Sequence, residues 1–325
     1  MLRLPVFEYH QPATLQAAAQ LLHDLPEAML VAGGTDLLPS MKRELFSPKH
    51  LVGLGHLGEL SYVRTRPDGA LCIGAGTRLD ALVNHPSLKD YAALATAARS
   101  ISTPQLRNMG TLGGNICLDT RCSYYNQSLF WRQALGYCMK KGGDVCRVAG
   151  GSPTCIATFS ADTVPALIAL GAEVSLVSAN GIRDLRLEDL YRNDGLAFLN
   201  KERDEILAEI RVPPRGAWRS SYWKLRDRES IDFPIAGLAI AIDLTADGEV
   251  GEARVATTGI FPAPLRLRSV ERVLQGQRLT EDVIAAAAEA GYREAHPVEN
   301  TSGSIVQRKS AVRVFIQRAL EEMQL

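Results

Sequence analysis

The chain of 325 residues has no excess of either charge: 36 Lys and Arg stand against 36 Asp and Glu. Such a balance supplies no global field to draw in nucleic acid or an anionic membrane, and neither is expected as a partner. Long apolar runs are also missing, since none approaches the roughly 20 residues that span a bilayer. The opening MLRLPVFEYHQPATL lacks the apolar stretch of a signal peptide. The expected location is therefore cytoplasmic, where thiols stay reduced. Histidines are few, at 10, 23, 50, 56, 85 and 296, without paired ligand spacing, and most read as surface or capping residues. No G-x-S-x-G elbow is present, which disfavours hydrolase chemistry. Absence of G-x-G-x-x-G and of a P-loop disfavours an ordinary Rossmann or NTPase assignment. Cysteine is scarce as well, six in all, yet Cys122, Cys138, Cys146 and Cys155 crowd into RCSYYNQSLFWRQALGYCMKKGGDVCRVAGGSPTC. In a reducing compartment disulfides explain such a cluster poorly, and a metal site is the leading explanation.

What is present fits an ordinary globular protein long enough for two or more domains. ATLQAAAQLLHDL (13–25) has helical periodicity, AMLVAGG (28–34) reads as a buried strand entering a glycine turn, and HLVGL (50–54) as a second strand. From about residue 58 come strands LSYVRTR and ALCIGAGT, helices near 78–84 and 90–100, and the glycine-rich RNMGTLGGNI (107–116). After the cysteine segment, ADTVPALIALGAEVSLV reads as helix then strand, and DEILAEIRVPP as a strand stopped by two prolines. Beyond Pro214, RSSYWKLR, IAGLAIAIDLT and EARVATTGI alternate like antiparallel strands, followed by helices near 266–275, 280–294 and 304–323. The expectation is a tripartite α+β protein with units 1–57, 58–215 and 216–325, the first two forming one ligand-binding body.

Two glycine loops carry the chemistry of that body. In VAGGTDL, Gly33 and Gly34 follow a strand and precede a helix start at Thr35 and Asp36, so backbone N–H groups and a helix N-terminus can face phosphate. The same turn also suits a plain strand-to-helix connection capped by Thr35 or Asp36. GTLGGNI (110–116) is a second such loop, and the pair could bracket one pyrophosphate between two subdomains.

LVAGGTDLLPSM, ISTPQLRNMGTLGGNI, DEILAEIRVP and YWKLRDRESIDFPIAG occur in that order. In this the chain resembles the FAD-binding subunits of the molybdenum hydroxylase (xanthine oxidase) family, over essentially its whole length. The resemblance implies an FAD-binding fold of the vanillyl-alcohol-oxidase (PCMH) type in two α/β subdomains, followed by a C-terminal domain of antiparallel sheet and helices. It implies that Met29, Leu30, Val31, Ala32, Gly33, Gly34, Thr35 and Asp36 wrap the FAD pyrophosphate. Gly110, Thr111, Gly114 and Asn115 would hold it from the other side, with Ile101 and Cys117 packing nearby. Asp162 would hydrogen-bond the cofactor, with a helix N-cap as its alternative role, and Leu207 would make an apolar contact. Lys224 would sit near the isoalloxazine, where a cation stabilises a reduced anionic flavin; its alternative is a surface lysine on an edge strand. No catalytic residue is implied.

The family pattern runs almost directly from GGNI to the helix after Asp162, whereas here about forty residues intervene, at about 119–158. The spacing C-x15-C-x7-C-x8-C lacks the close pairs of structural zinc sites. Four thiolates from one loop can equally hold a [4Fe–4S] cluster, and an electron-transfer flavoprotein gives that cluster a use. Zinc remains the competing metal. Glycines 136, 142, 143, 150 and 151 suit a backbone folded tightly around a cluster, while Cys72 and Cys117 read as apolar residues outside it. Within the family this insertion is similar to that of the 4-hydroxybenzoyl-CoA reductase branch, in its β subunit. That likeness implies a molybdopterin-binding large subunit and a [2Fe–2S] small subunit, in a dimer of heterotrimers, with ferredoxin as donor of low-potential electrons. The alternative is a xanthine-dehydrogenase-like subunit passing electrons to NAD or another acceptor.

Overall fold

The computed structural model describes residues 3–214 and 216–324. Arg215, the last residue of the second expected unit, lies outside them, as do the first two residues and the last. The chain opens with β1 (Glu8–His10), β2 (Ala28–Val31) and β3 (His50–Gly53), which pair in parallel in the order β1-β3-β2. Parallel neighbours need crossover connections, supplied here by helices Leu15–Asp24 and Leu37–Lys42. Thr14 starts the first helix in extended conformation, its hydroxyl accepting from the Ala17 N–H at 3.1 Å. Ala18, Ala19 and Leu22, on one helical face, bury against Ala28 and Val52. β1 escaped the sequence reading because three residues are too few to show a period.

The second unit is a five-stranded antiparallel sheet in the order β4-β5-β8-β6-β7. Its strands are β4 (Val63–Thr65), β5 (Leu71–Gly74), β6 (Glu173–Ser178), β7 (Gly181–Arg186) and β8 (Ile206–Val212). Five of the six β7 residues are exposed, so that edge strand has no buried face and no apolar alternation to betray it. Leu71, Ile73, Val174, Leu176, Ile210 and Val212 join helices Leu79–Val83 and Ala92–Ser100 in the largest core.

The third unit is an antiparallel sheet of β9 (Arg219–Leu225), β10 (Ala236–Leu244) and β11 (Val250–Thr258), with β10 central. Helices Arg268–Leu274, Glu281–Glu294 and Ile305–Gln324 build one core with it. Ala239 and Ala241 of β10 cluster with Ala93 and Ala97 of helix Ala92–Ser100 and with Ala166 and Ala169 of helix Thr163–Ala169. Side chains this small let helices and sheet approach closely, and helix Thr163–Ala169 is buried at all seven positions. The α+β architecture expected from the sequence is the one observed.

The inserted segment leaves and re-enters this frame at one point. Arg121 and Thr158 exchange two backbone hydrogen bonds of 2.7 Å, closing its base. Between them the only helix among the described residues is Leu129–Ala134, capped by Ser128.

Candidate cofactor and metal site

The two glycine loops, about 75 residues apart in sequence, touch. A Cβ built on Gly33 would lie 1.9 Å from the Met109 carbonyl oxygen, and one on Gly110 would lie 3.4 Å from Thr35 Oγ1. Gly33 is thus required by contact between the loops, while Gly34 supplies a turn with φ +70°. Residues 29–38 form an unbroken half-buried run, and the pyrophosphate groove that the family resemblance implies would pass along it. Asp36 occupies the cap position of helix Leu37–Lys42 but makes no capping bond. Its carboxylate instead pairs with Arg121 of the insertion, so the alternative role of Asp36 as a helix cap is not the one adopted.

Across the groove, Thr111 is extended and its hydroxyl accepts from the Gly114 N–H at 3.1 Å, starting helix Leu112–Ile116 inside the expected loop. Gly113 is packed against Ala75, but Gly114 is exposed, and a Cβ there would meet only Thr111 Oγ1, at 3.1 Å. Gly114 is therefore open to an approaching ligand. Asn115 accepts at Oδ1 from the Thr163 N–H (3.2 Å) and hydroxyl (2.6 Å), so it, and not Asp162, caps helix Thr163–Ala169. The fit to an anionic cofactor is favourable: beside Asp36, the buried Nε–H of Arg121 has no hydrogen-bond partner.

Asp162 and Lys224 form a buried ion pair at 3.0 Å, each side chain 4% exposed. Tyr222 donates to Asp162 Oδ1 at 2.7 Å, Ser100 Oγ lies at 3.4 Å, and Lys224 also donates to the Ser100 carbonyl at 3.0 Å. Tyr222 and Lys224 reach the same side because alternate residues of β9 share a face. β9 is an edge strand, yet Lys224 is no surface lysine, since helix Ala92–Ser100 covers it. Burial pushes the Asp162 carboxyl up, against the pull of Lys224, Tyr222 and Ser100. Ile101 follows this knot, and its carbonyl accepts from Arg107 at 2.9 Å. Leu207 and Cys117 belong to the large core, Leu207 buried within it and Cys117 packed at its margin.

All four inserted cysteines are buried, and together they line one small cavity, of about 20 Å³, with Tyr125, Lys140 and Val148. Cys72 lies apart in β5 and Cys117 after helix Leu112–Ile116; neither lines that cavity. Burial pushes the Cys122 thiol up to about 11, opposed by the backbone N–H groups of Tyr124 and Tyr125. The Cys155 thiol is also raised by burial, against the Ala157 N–H and the Lys140 ammonium. Among the described residues, the only three candidate ligand atoms all within 4.8 Å of one another belong to Glu8, His10 and His50. A tetrahedral zinc with Zn–S of about 2.3 Å needs sulfurs about 3.8 Å apart. No three of the cysteine sulfurs lie within 4.8 Å of one another, so the thiols are not gathered as tightly as a single zinc ion needs.

Sequence reasoning missed the groups that hold this loop. Lys140 inserts a buried ammonium beside the cysteines, donating to Asp119 (2.7 Å) and the Gly195 carbonyl (2.6 Å) and lying 4.8 Å from the centre of the Tyr125 ring. Arg132 is almost wholly buried and donates to the carbonyls of Arg43 (2.8 Å) and Glu44 (3.1 Å) in the first unit. It sits in SLFWRQAL, where an arginine among apolar residues was the available signal. His85 is the capping residue expected, accepting from the Ser87 N–H at 3.3 Å, but two of the histidines are paired: His10 and His50 meet across β1 and β3 at 3.0 Å.

Comparison with known proteins completes the assignment. The family model described as the FAD binding domain in molybdopterin dehydrogenase matches residues 5–215, and that of the CO dehydrogenase flavoprotein C-terminal domain matches 221–323. The aldehyde oxidoreductase FAD-binding subunit PaoB of Escherichia coli is 31% identical over 329 residues, covering 97% of this chain and 98% of its own. The glyceraldehyde dehydrogenase medium chain of Sulfolobus acidocaldarius is 27% identical over 320 residues, covering 98% and 99%. A solved chain of the carbon monoxide dehydrogenase of Hydrogenophaga pseudoflava superposes with a TM-score of 0.80 at 28% identity, covering 98% of this chain and 97% of its own. The fold is thus the PCMH-type FAD-binding fold in two subdomains with a C-terminal sheet and helix domain, and the chain belongs to the FAD-binding subunits of the molybdenum hydroxylase family, the group of xanthine oxidase and CO dehydrogenase.

Proposed function

We propose that this FAD-binding subunit carries, besides its flavin, one [4Fe–4S] cluster held by Cys122, Cys138, Cys146 and Cys155. The observation that carries the proposal is the convergence of these four buried cysteines on one cavity. Bound FAD takes electrons in pairs and can release them singly, whereas a cluster passes them one at a time. The chain's own residues hold and orient these groups. The groove at 29–36 and the open side of Gly114 admit the pyrophosphate, with Thr111 fixing that turn. The pair Asp162–Lys224 places a screened positive charge beside the Ser100–Ile101 turn, and Leu207 and Cys117 support that wall from the core. Lys140 sets a cation beside the cysteines, and its charge opposes the rise that burial imposes on the Cys155 thiol.

The subunit would work in a heterotrimer, with a molybdopterin-binding large subunit and a [2Fe–2S] small subunit, paired as a dimer of such trimers. Two directions of electron flow are open to it. The cysteine insertion supports a role as β subunit of a 4-hydroxybenzoyl-CoA reductase, taking electrons from ferredoxin toward the molybdenum subunit. The relatives, dehydrogenases and an aldehyde oxidoreductase, give more support to the reverse, with electrons delivered to NAD or another acceptor. Iron analysis and low-temperature EPR of the dithionite-reduced chain test the cluster. About four irons per chain with a reduced-cluster signal are expected, and a chain without iron and without that signal, or zinc with sulfur neighbours, would overturn it. Assay of the complex with reduced ferredoxin and 4-hydroxybenzoyl-CoA, against NAD reduction by candidate substrates, decides the direction.

A further inference from the structure

The first sheet brings together three side chains that the flavin and cysteine sites do not use. In the parallel pairing of β1 with β3, Glu8 lies opposite His50, and His10 lies two residues beyond Glu8 on the same face. The ligand atoms converge: His10 Nε2 and His50 Nδ1 are 3.0 Å apart, with Glu8 Oε2 3.5 Å from His50 Nδ1 and 3.9 Å from His10 Nε2. Two imidazoles this close share one hydrogen at most in the free protein, leaving the other nitrogen as acceptor. A carboxylate oxygen facing both nitrogens completes a mixed N, N, O donor set.

We infer that Glu8, His10 and His50 bind one divalent transition-metal ion, zinc in the cell, with a fourth position left to water. Zinc with Zn–N and Zn–O bonds near 2.0–2.1 Å holds its tetrahedral ligands about 3.4 Å apart. The three observed separations straddle that value, so the ion enters with small side-chain rotations and no backbone movement. Two neutral imidazoles with one carboxylate are ligands of zinc's borderline character, whereas magnesium and calcium prefer oxygen alone. His10 and His50 are partly buried and held by their strands, while the more exposed Glu8 leaves the fourth position to solvent. The site bridges the short edge strand β1 to central β3. Its effect is to clip the edge of the sheet whose other edge strand, β2, runs into the Gly33–Gly34 turn.

The test uses the full-length, FAD-loaded chain titrated with zinc chloride, with bound zinc measured by equilibrium dialysis and its neighbours by X-ray absorption. One zinc per chain is expected, with nitrogen and oxygen neighbours near 2.0–2.1 Å and no sulfur near 2.3 Å. His50→Gln and, independently, the exposed Glu8→Ala should each weaken binding by about tenfold or more, leaving flavin and iron contents unchanged. Glu8→Ala keeps the test open should His50→Gln fail to fold. Sulfur in the zinc shell, or wild-type affinity in Glu8→Ala, would overturn the assignment.

Discussion

Gly33 and Gly114 look alike in sequence but do different work, and paired substitutions separate the two roles. Gly114 lies in helix Leu112–Ile116, where valine is favoured over glycine by roughly half a kcal/mol in intrinsic propensity. Its added Cβ would meet only Thr111 Oγ1 at 3.1 Å, a contact eased by a shift of a few tenths of an ångström. The two effects nearly cancel, so the Gly114→Val apoprotein should unfold within about 1 kcal/mol of the wild-type apoprotein. The same side chain occupies the open side of the turn facing the groove, and flavin content of the purified variant should fall to near zero. Gly33→Ala is the opposite case. Its methyl would lie 1.9 Å from the Met109 carbonyl oxygen, so the two loops must part by more than an ångström. That overpacking costs about 1–3 kcal/mol or more and should lower apoprotein stability and flavin content together. Urea unfolding of the apo forms, with flavin counted by absorbance after acid release, reads both quantities. Full flavin in Gly114→Val, or a wild-type-stable Gly33→Ala apoprotein, would refute the division.

Lys224→Met strands the buried carboxylate of Asp162 and should destabilise the fold by about 3–5 kcal/mol at pH 8. A carboxyl raised above its unfolded value favours the folded state most at low pH and less as pH climbs through its folded value, so the loss should shrink at pH 5; an equal loss at both pH values would count against the pair. Serine at Cys122, Cys138, Cys146 or Cys155 should lower iron while leaving FAD bound, and serine at Cys72 or Cys117 should leave iron unchanged; loss of flavin in step with iron would show that the sites are not separable. Acid precipitation should release all the flavin to the supernatant, since no cysteine or histidine stands in a recognisable flavin-linking motif, and colour kept in the pellet would contradict this.

Most of the architecture could be read from the sequence where a strand or helix has a buried side. β10 reads as an alternating strand, and its run IAGLAIAI proves to be covered on both faces, which is why it is apolar throughout. β7 and β1 could not be read, one for want of a buried face, the other for want of length. The glycine loops were recognisable as motifs, but the order of their glycines carries no sign of which neighbour each one meets. Only the fold shows that Gly33 faces the Met109 carbonyl, whereas a Cβ at Gly114 would meet only the Thr111 hydroxyl. Asp162 had two candidate roles in the sequence, and the cap went to Asn115 because that amide, 48 residues away, arrives at Thr163 first. The meeting of His10 with His50 depends on strand register, which no short spacing encodes.

The same dependence on tertiary contacts explains why the cysteine segment can be long and glycine-rich yet ordered. A loop of nearly forty residues would lose much entropy on being fixed, and its apolar cluster is small: Cys122, Cys138, Cys155, Tyr125 and Ala157, with Leu45 of the first unit. The compensation comes from polar contacts to all three units. Arg132 reaches the carbonyls of Arg43 and Glu44, and Arg121 joins Asp36, both in the first unit. Lys140 and Cys155 bind the turn at Gly195 in the second. Asn300, fully buried in the third, donates to the Ile156 carbonyl at 2.5 Å and accepts from Thr158 Oγ1 at 2.8 Å. Arg121 also lies 4.5 Å from the centre of the Phe233 ring. The insertion is therefore built into the seam of the protein, and its cysteines are held in fixed relation to the glycine groove through Arg121. The proposed metal centre would need such anchoring to serve a flavin, because one-electron transfer depends on distance and a swinging loop would not keep it.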